Sequence, residues 1–177
     1  MPSYRMLPVV IVAFWLPLGP TFAGSTVDTV ARYIENPRKI GEGILTILFW
    51  DVYRAELYAP MTGWRPDAPF ALSLKYLRDL KGADIVDRTI SEMRGQGFYD
   101  DLTLNAWRGQ LQDIFPNVSD GTRLTGVRDN EGNTVFFRDG NKIGEVKDPA
   151  FTRRFFDIWL GARTSEPDLR RALFGGT

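Results

Sequence analysis

The sequence predicts an α+β protein in which strands and helices come in separate runs: strands, two helices, strands, two helices. Three observations carry this. In two blocks of the chain apolar residues alternate or crowd as β-branched and aromatic runs, the pattern of half-buried and buried strands. In two other blocks they recur at helical spacing between Gly and Pro breakers. At 44% hydrophobic and 13% aromatic, 177 residues can build one real core, the size of a single domain of roughly 100–200 residues.

The N-terminus reads as an export signal. Arg5 precedes an apolar run, Met6–Gly19, and PTFAGS then places Ala23 at a cleavage point. A membrane-spanning helix needs about 20 apolar residues, and Pro8 and Pro17 interrupt this shorter run. Residues 1–23 are therefore expected to be a signal peptide and 24–177 the domain. The mature protein would be exported, periplasmic in a Gram-negative cell, with no stable membrane anchor after cleavage.

Ser25 to Lys39 is a polar opening segment with room for a short helix or strand. Gly41 to Pro60, GEGILTILFWDVYRAELYAP, reads as one long strand or two joined at a bulge. MTGWRPDAP is a loop, and in PFALSLKYL Leu72, Leu74 and Tyr76 alternate with Ser73 and Lys75. Ile85, Val86, Thr89, Ile90 and Met93 then share a helix face closed by Gly95 and Gly97. Leu104, Trp107, Leu111, Ile114 and Phe115 share a second, stopped by Pro116. TRLTGVRD and NTVFFRD follow as strands joined by NEG, and Asp139-Gly140 marks a hairpin into NKIGEV. Asp148 and Pro149 open a helix with the stripe Phe151, Phe155, Ile158 and Trp159. Ser165 is expected to open the last helix, with Pro167 early and Asp168 as an imperfect capping-box partner.

Composition removes several chemistries. With no Cys and no His, the chain has no disulfide, no thiolate nucleophile, no Ser-His-Asp triad and no His-ligated zinc or haem. Lys plus Arg equals Asp plus Glu at 22 each, and no basic block offers phosphates a footprint, so no nucleic acid is expected. No cofactor is implied, and a protein partner is unknown.

In a regular strand Phe49, Asp51, Tyr53, Ala55 and Leu57 share one face. Asp51 would then be one carboxylate among apolar and aromatic side chains, needing a hydrogen-bond partner, protonation or a bulge to turn it outward. Tyr76 could meet Tyr53 across the sheet. Asp51, Tyr53 and Tyr76 are the candidate ligand-binding residues; Arg54 and Glu56, on the opposite face, are expected to be solvated. The acidic residues of GVRDNEGN imitate a calcium loop but read as a hairpin turn, and no metal site is expected.

In order along the chain, GEGILTILFWDVYRAELYAP, LKYLRDLKGADIVDRTISEM, IFPNVSDGTRLTGV and GNKIGEVKDPAFTRRFFDIWLGARTSEPDLRRAL resemble the chalcone isomerase-like family, in particular its bacterial exported branch. The resemblance implies an open-faced β-sandwich: an antiparallel sheet backed by helices, with a ligand cleft between. In the plant enzymes of that family an Arg favours the attacking phenolate, and Thr and Tyr hydroxyls polarise the ketone. Tyr53 falls where the enzymes carry that Thr, Leu45 nearest their Arg, and Gly82 and Thr89 near their Tyr and Asn. The isomerase residues are thus not recognisable, and a non-catalytic protein is expected.

The family's other role is fatty-acid binding, in which Arg and Tyr hold the carboxylate and apolar walls hold the tail. A small apolar or amphipathic ligand such as a fatty acid is the expected partner. Two alternatives stay open. One is an intramolecular lyase or isomerase acting on an unknown substrate through Asp51, Tyr53 and Tyr76. The other is a cell-envelope interaction module with a closed core.

Overall fold

The computed structural model describes residues 26–176; the export signal expected over 1–23 lies outside them. One six-stranded antiparallel sheet forms the body. Its strands are β1 (Pro37–Ile47), β2 (Trp50–Pro60), β3 (Phe70–Tyr76), β4 (Arg123–Arg128), β5 (Thr134–Arg138) and β6 (Asn141–Val146), in that spatial order. Each strand therefore pairs with its neighbours in sequence. The helices are α1 (Thr26–Val30), α2 (Gly82–Gly95), α3 (Asp101–Ile114), α4 (Pro149–Leu160) and α5 (Pro167–Leu173). The α+β class is what the segregated pattern predicts, and the open antiparallel sheet backed by helices is what the resemblance implies.

The stretch Gly41–Pro60 is neither one strand nor two strands in line. It is a hairpin whose two-residue turn is Leu48–Phe49, with Leu48 at φ 58°. Such turns ordinarily carry Asn, Asp or Gly, because L side chains tolerate positive φ poorly. Leu-Phe gives no turn signal, so the reversal was hidden in an apolar run. Two bulges distort the pairing. Gly41 faces Leu57 and Lys39 faces Tyr58, leaving Ile40 extra; Leu45 faces Tyr53 and Thr46 faces Asp51, leaving Val52 extra.

Helices α2 to α5 cover one sheet face over a core that includes Leu57, Leu72, Phe136, Met93, Leu111, Phe151 and Leu173. Phe155 lies within an aromatic cluster, its ring centroid 5.2 Å from Phe136, 5.5 Å from Phe151, 5.2 Å from Phe156 and 5.3 Å from Trp159. The other face has a smaller cluster, Val30, Ile34, Tyr58, Ala71, Val127, Val135 and Phe137, partly roofed by the segment around α1. Arg54 and Glu56 lie on this second face, but they are not simply solvated. Arg54 pairs with Glu42 at 3.0 Å, while Arg123 pairs with Glu56 at 2.6 Å and donates to Ser73 at 3.1 Å.

Local chemistry sets the helix ends. The Asp100 carboxylate accepts from the Leu102 and Thr103 amides at the start of α3. Asp148 caps α4 through the Ala150 and Phe151 amides and also accepts from the Trp107 indole at 2.9 Å, which ties α3 to α4. At α5 the expected cap is not made. The helix starts after Glu166 with no side-chain cap, and the Ser165 hydroxyl instead donates to Glu92 of α2 at 2.9 Å.

Backbone approach fixes α5. A Cβ on Gly41 would stand 2.3 Å from the Ala172 carbonyl oxygen, and one on Gly43 would stand 2.7 Å from a Leu169 methyl. These two glycines, which flank Glu42, form the seat on which α5 rests. The acidic loop Asp129–Asn133 is a turn, its Asp129 carboxylate accepting from the Glu131 and Asn133 amides. Among the described residues no acidic cluster could hold a metal ion.

Candidate functional site

Between the helix-covered face of the sheet and helices α2 and α4 lies a cavity of about 340 Å³. Leu72, Leu74, Leu124 and Phe136 line it from the strands, Ile85 and Thr89 from α2, and Phe155, Ile158 and Trp159 from α4. Ile47, Leu48 and Trp50 bring the β1–β2 turn to its rim, where Leu48 is 85% and Trp50 63% exposed. Apolar walls therefore run out to an apolar lip.

Tyr53 and Tyr76 are its principal buried polar groups. They are cross-strand partners, and their rings meet edge to face with centroids 5.8 Å apart. The Trp159 indole of α4 donates to the Tyr53 hydroxyl at 2.8 Å, so that oxygen already has one donor and still carries its own hydrogen. Tyr76 is 3% exposed, and no side chain or carbonyl among the described residues bonds its hydroxyl. The Thr89 hydroxyl donates back to the Ile85 carbonyl at 2.8 Å within its own helix.

Asp51 is not with them. The extra residue Val52 reverses the alternation, so Val52 and Tyr53 both border the cavity, while Asp51 is exposed and accepts from the Thr46 hydroxyl at 2.7 Å. This corrects the grouping of Asp51 with Tyr53 and Tyr76. A one-residue bulge flips every side chain beyond it, and pattern reading cannot see the extra residue without the partner strand. Trp159, which completes the tyrosine pair, was legible only as one member of an apolar helix stripe.

Charges gather at the rim. Arg88 pairs with Glu92 at 2.5 Å, and the Arg78 guanidinium stands over the Trp50 ring at 5.2 Å. Asp84 and Glu166 also border the opening. Three carboxylates thus face two guanidinium groups. Leu45, at the position where the enzymes' Arg was sought, is 7% exposed and forms part of the apolar wall.

Burial pushes the phenols of Tyr53 and Tyr76 well above the ordinary 10.0, and it lifts Tyr58 to about 12, aided by the Glu56 carboxylate. The native chain then keeps protons that the unfolded chain releases above about pH 10, so the stability these groups contribute is whole below that pH and is lost as pH rises through the folded values. The urea midpoint should hold to about pH 10 and fall beyond it. In Tyr76→Phe the fall should be shallower, and an equal slope in variant and wild type would contradict the assignment.

No curated protein matches this chain. Among solved structures it is similar to a fatty-acid binding protein of Arabidopsis thaliana, with a TM-score of 0.61 at 15% sequence identity, over 79% of this chain and 87% of that one. At that identity the likeness establishes the fold. The chalcone isomerase-like family profile matches residues 38–175. That span takes in all six strands but the first residue of β1, the four helices α2 to α5 and every residue that lines the cavity: the chain belongs to the chalcone isomerase-like family.

Proposed function

We propose that this chain is a non-catalytic, exported binding protein that holds a small apolar or amphipathic molecule in the sheet–helix cavity, with Tyr53 and Tyr76 as its polar wall. A fatty acid is the representative ligand, in keeping with the class named for the Arabidopsis thaliana relative. The observation that carries the reading is the cavity itself: about 340 Å³, apolar and open at one rim, within the roughly 300–1,000 Å³ range of small-molecule sites. A closed-core interaction module would have filled that space.

The positions matched to the enzymes support binding without turnover. Leu45 brings no cation to favour a phenolate. Gly82 has no side chain and no room for one, since a Cβ would lie 2.3 Å from the Phe115 carbonyl oxygen. The Thr89 hydroxyl gives its hydrogen to its own helix. Export rests on Arg5, the apolar run Met6–Gly19 and Ala23.

The test is native purification from the producing cell, mass spectrometry of co-purifying small molecules, and titration of the emptied protein with fatty acids. A bound lipid-like molecule and saturable titration are expected. No co-purifying molecule, and no binding at high micromolar concentration, would sink the reading. Amino-terminal sequencing of the exported fraction should find cleavage after Ala23; an intact N-terminus would remove export from it.

A further inference from the structure

We propose that the cavity selects an apolar molecule bearing an uncharged hydrogen-bond acceptor, such as an ester or ketone carbonyl, in preference to an ionised carboxylate, and that the Tyr76 hydroxyl is the group that recognises it. The inference rests on the ligand-binding reading above and narrows its chemistry: a fatty acid still binds through its apolar tail, but more weakly when ionised than its neutral ester does.

The buried polar groups of the wall supply more hydrogens than acceptors. Tyr76 is 3% exposed as a residue, and its hydroxyl, which has no partner among the described residues, borders the cavity. Tyr53 accepts from Trp159 at 2.8 Å and retains its own hydrogen, while the indole can only donate. The Thr89 hydroxyl is occupied with Ile85. Burial holds both phenols in the neutral, donating form. A hydroxyl that opens on an apolar cavity gains most from an acceptor carried by the ligand, so the missing component is an acceptor. The two tyrosines occupy opposed positions on β2 and β3 with their rings in edge contact, which places both phenols on one side of the cavity.

The electrostatics decide which acceptor fits. A carboxylate taken from water into an apolar site needs a compensating cation. The interior offers Leu45, Leu72, Leu74 and Phe136 instead. At the rim Arg88 is already paired with Glu92, Arg78 lies over Trp50, and Asp84 and Glu166 add further negative charge. An anion would pass this rim against repulsion and find only hydroxyls inside. A neutral carbonyl meets the same hydroxyls without that cost.

The experiment uses the full exported chain, freed of bound molecules, and competition binding with probes of equal chain length: an alkane, its methyl ester, its methyl ketone and its carboxylate in the ionised form. The ester and ketone should bind about tenfold more tightly than the alkane, the factor expected of one hydrogen bond of ordinary net strength, and also more tightly than the carboxylate. In Tyr76→Phe, checked for an unchanged fold by its circular dichroism, the ester-to-alkane ratio should fall towards one. A carboxylate that binds as well as the ester, or a ratio unmoved in Tyr76→Phe, overturns this inference and leaves the binding reading standing. Failure of all four probes overturns the binding reading itself, and this inference with it.

Discussion

Gly41→Val should destabilise the protein by about 3 kcal/mol or more, near the upper range for overpacking. The Cβ would enter a space already held by backbone: the Ala172 oxygen at 2.3 Å, the Leu173 oxygen at 2.5 Å and the Gly175 nitrogen at 2.7 Å. Backbone cannot rotate out of the way as a side chain can, so α5 must lift from β1. Lifting it uncovers Leu173, which is wholly buried, and Leu169, which is 6% exposed. The measurement is the urea midpoint, read with the slope of the transition, since a lifted helix also changes the surface exposed on unfolding. Gly109→Ala is the control. It lies within α3 with nothing inside 4 Å of the added carbon, and it should raise stability by about 0.5–1 kcal/mol through helix propensity and reduced freedom of the unfolded chain. If Gly41→Val unfolds at the wild-type midpoint, the close approach of α5 is wrong.

The second large effect is expected from Phe155→Ala. Phe155 is 5% exposed and touches Phe136, Phe151, Phe156 and Trp159 while also walling the cavity. Removing its ring should cost about 3–5 kcal/mol, the range for a buried aromatic reduced to alanine. Unlike a loss elsewhere in the core, it should also move function, because the vacated space joins the existing 340 Å³. Thermal unfolding gives the first readout and the chain-length preference in ligand titration gives the second. The preferred ligand should become longer or bulkier. A stability loss with an unchanged preference would mean that Phe155 does not border the space a ligand occupies.

Much of this fold was legible because its signals are local. The capping of α4 by Asp148 and the run of β4, β5 and β6 through polar turns follow from residue types within a few positions of one another. The helix faces of α2 and α3 were legible for the same reason. What escaped depended on partners. Leu48–Phe49 turns the chain with residues that usually continue a strand. The bulge at Val52 is defined only by Leu45 and Thr46 opposite it, and it is the reason Asp51 leaves the cavity while Tyr53 stays. The pairing of Tyr53 with Tyr76 could be foreseen, since both alternate on apolar strand faces. The Trp159–Tyr53 hydrogen bond joins residues 106 positions apart and has no local trace. Glu56 was read as a solvated charge because Arg123, its partner, arrives two strands away.

The seat of α5 also bears on synthesis. All strand pairings in the sheet join consecutive strands, so the meander can be laid down in the order in which it leaves a ribosome. Docking of residues 167–173 on Gly41 and Gly43 runs the other way, joining the last described element to the first strand. Until that segment emerges, the apolar side of β1 stays uncovered, in the kind of partly folded chain that attracts chaperones or other nascent copies. The two glycines thus set the moment at which a growing chain becomes a finished domain.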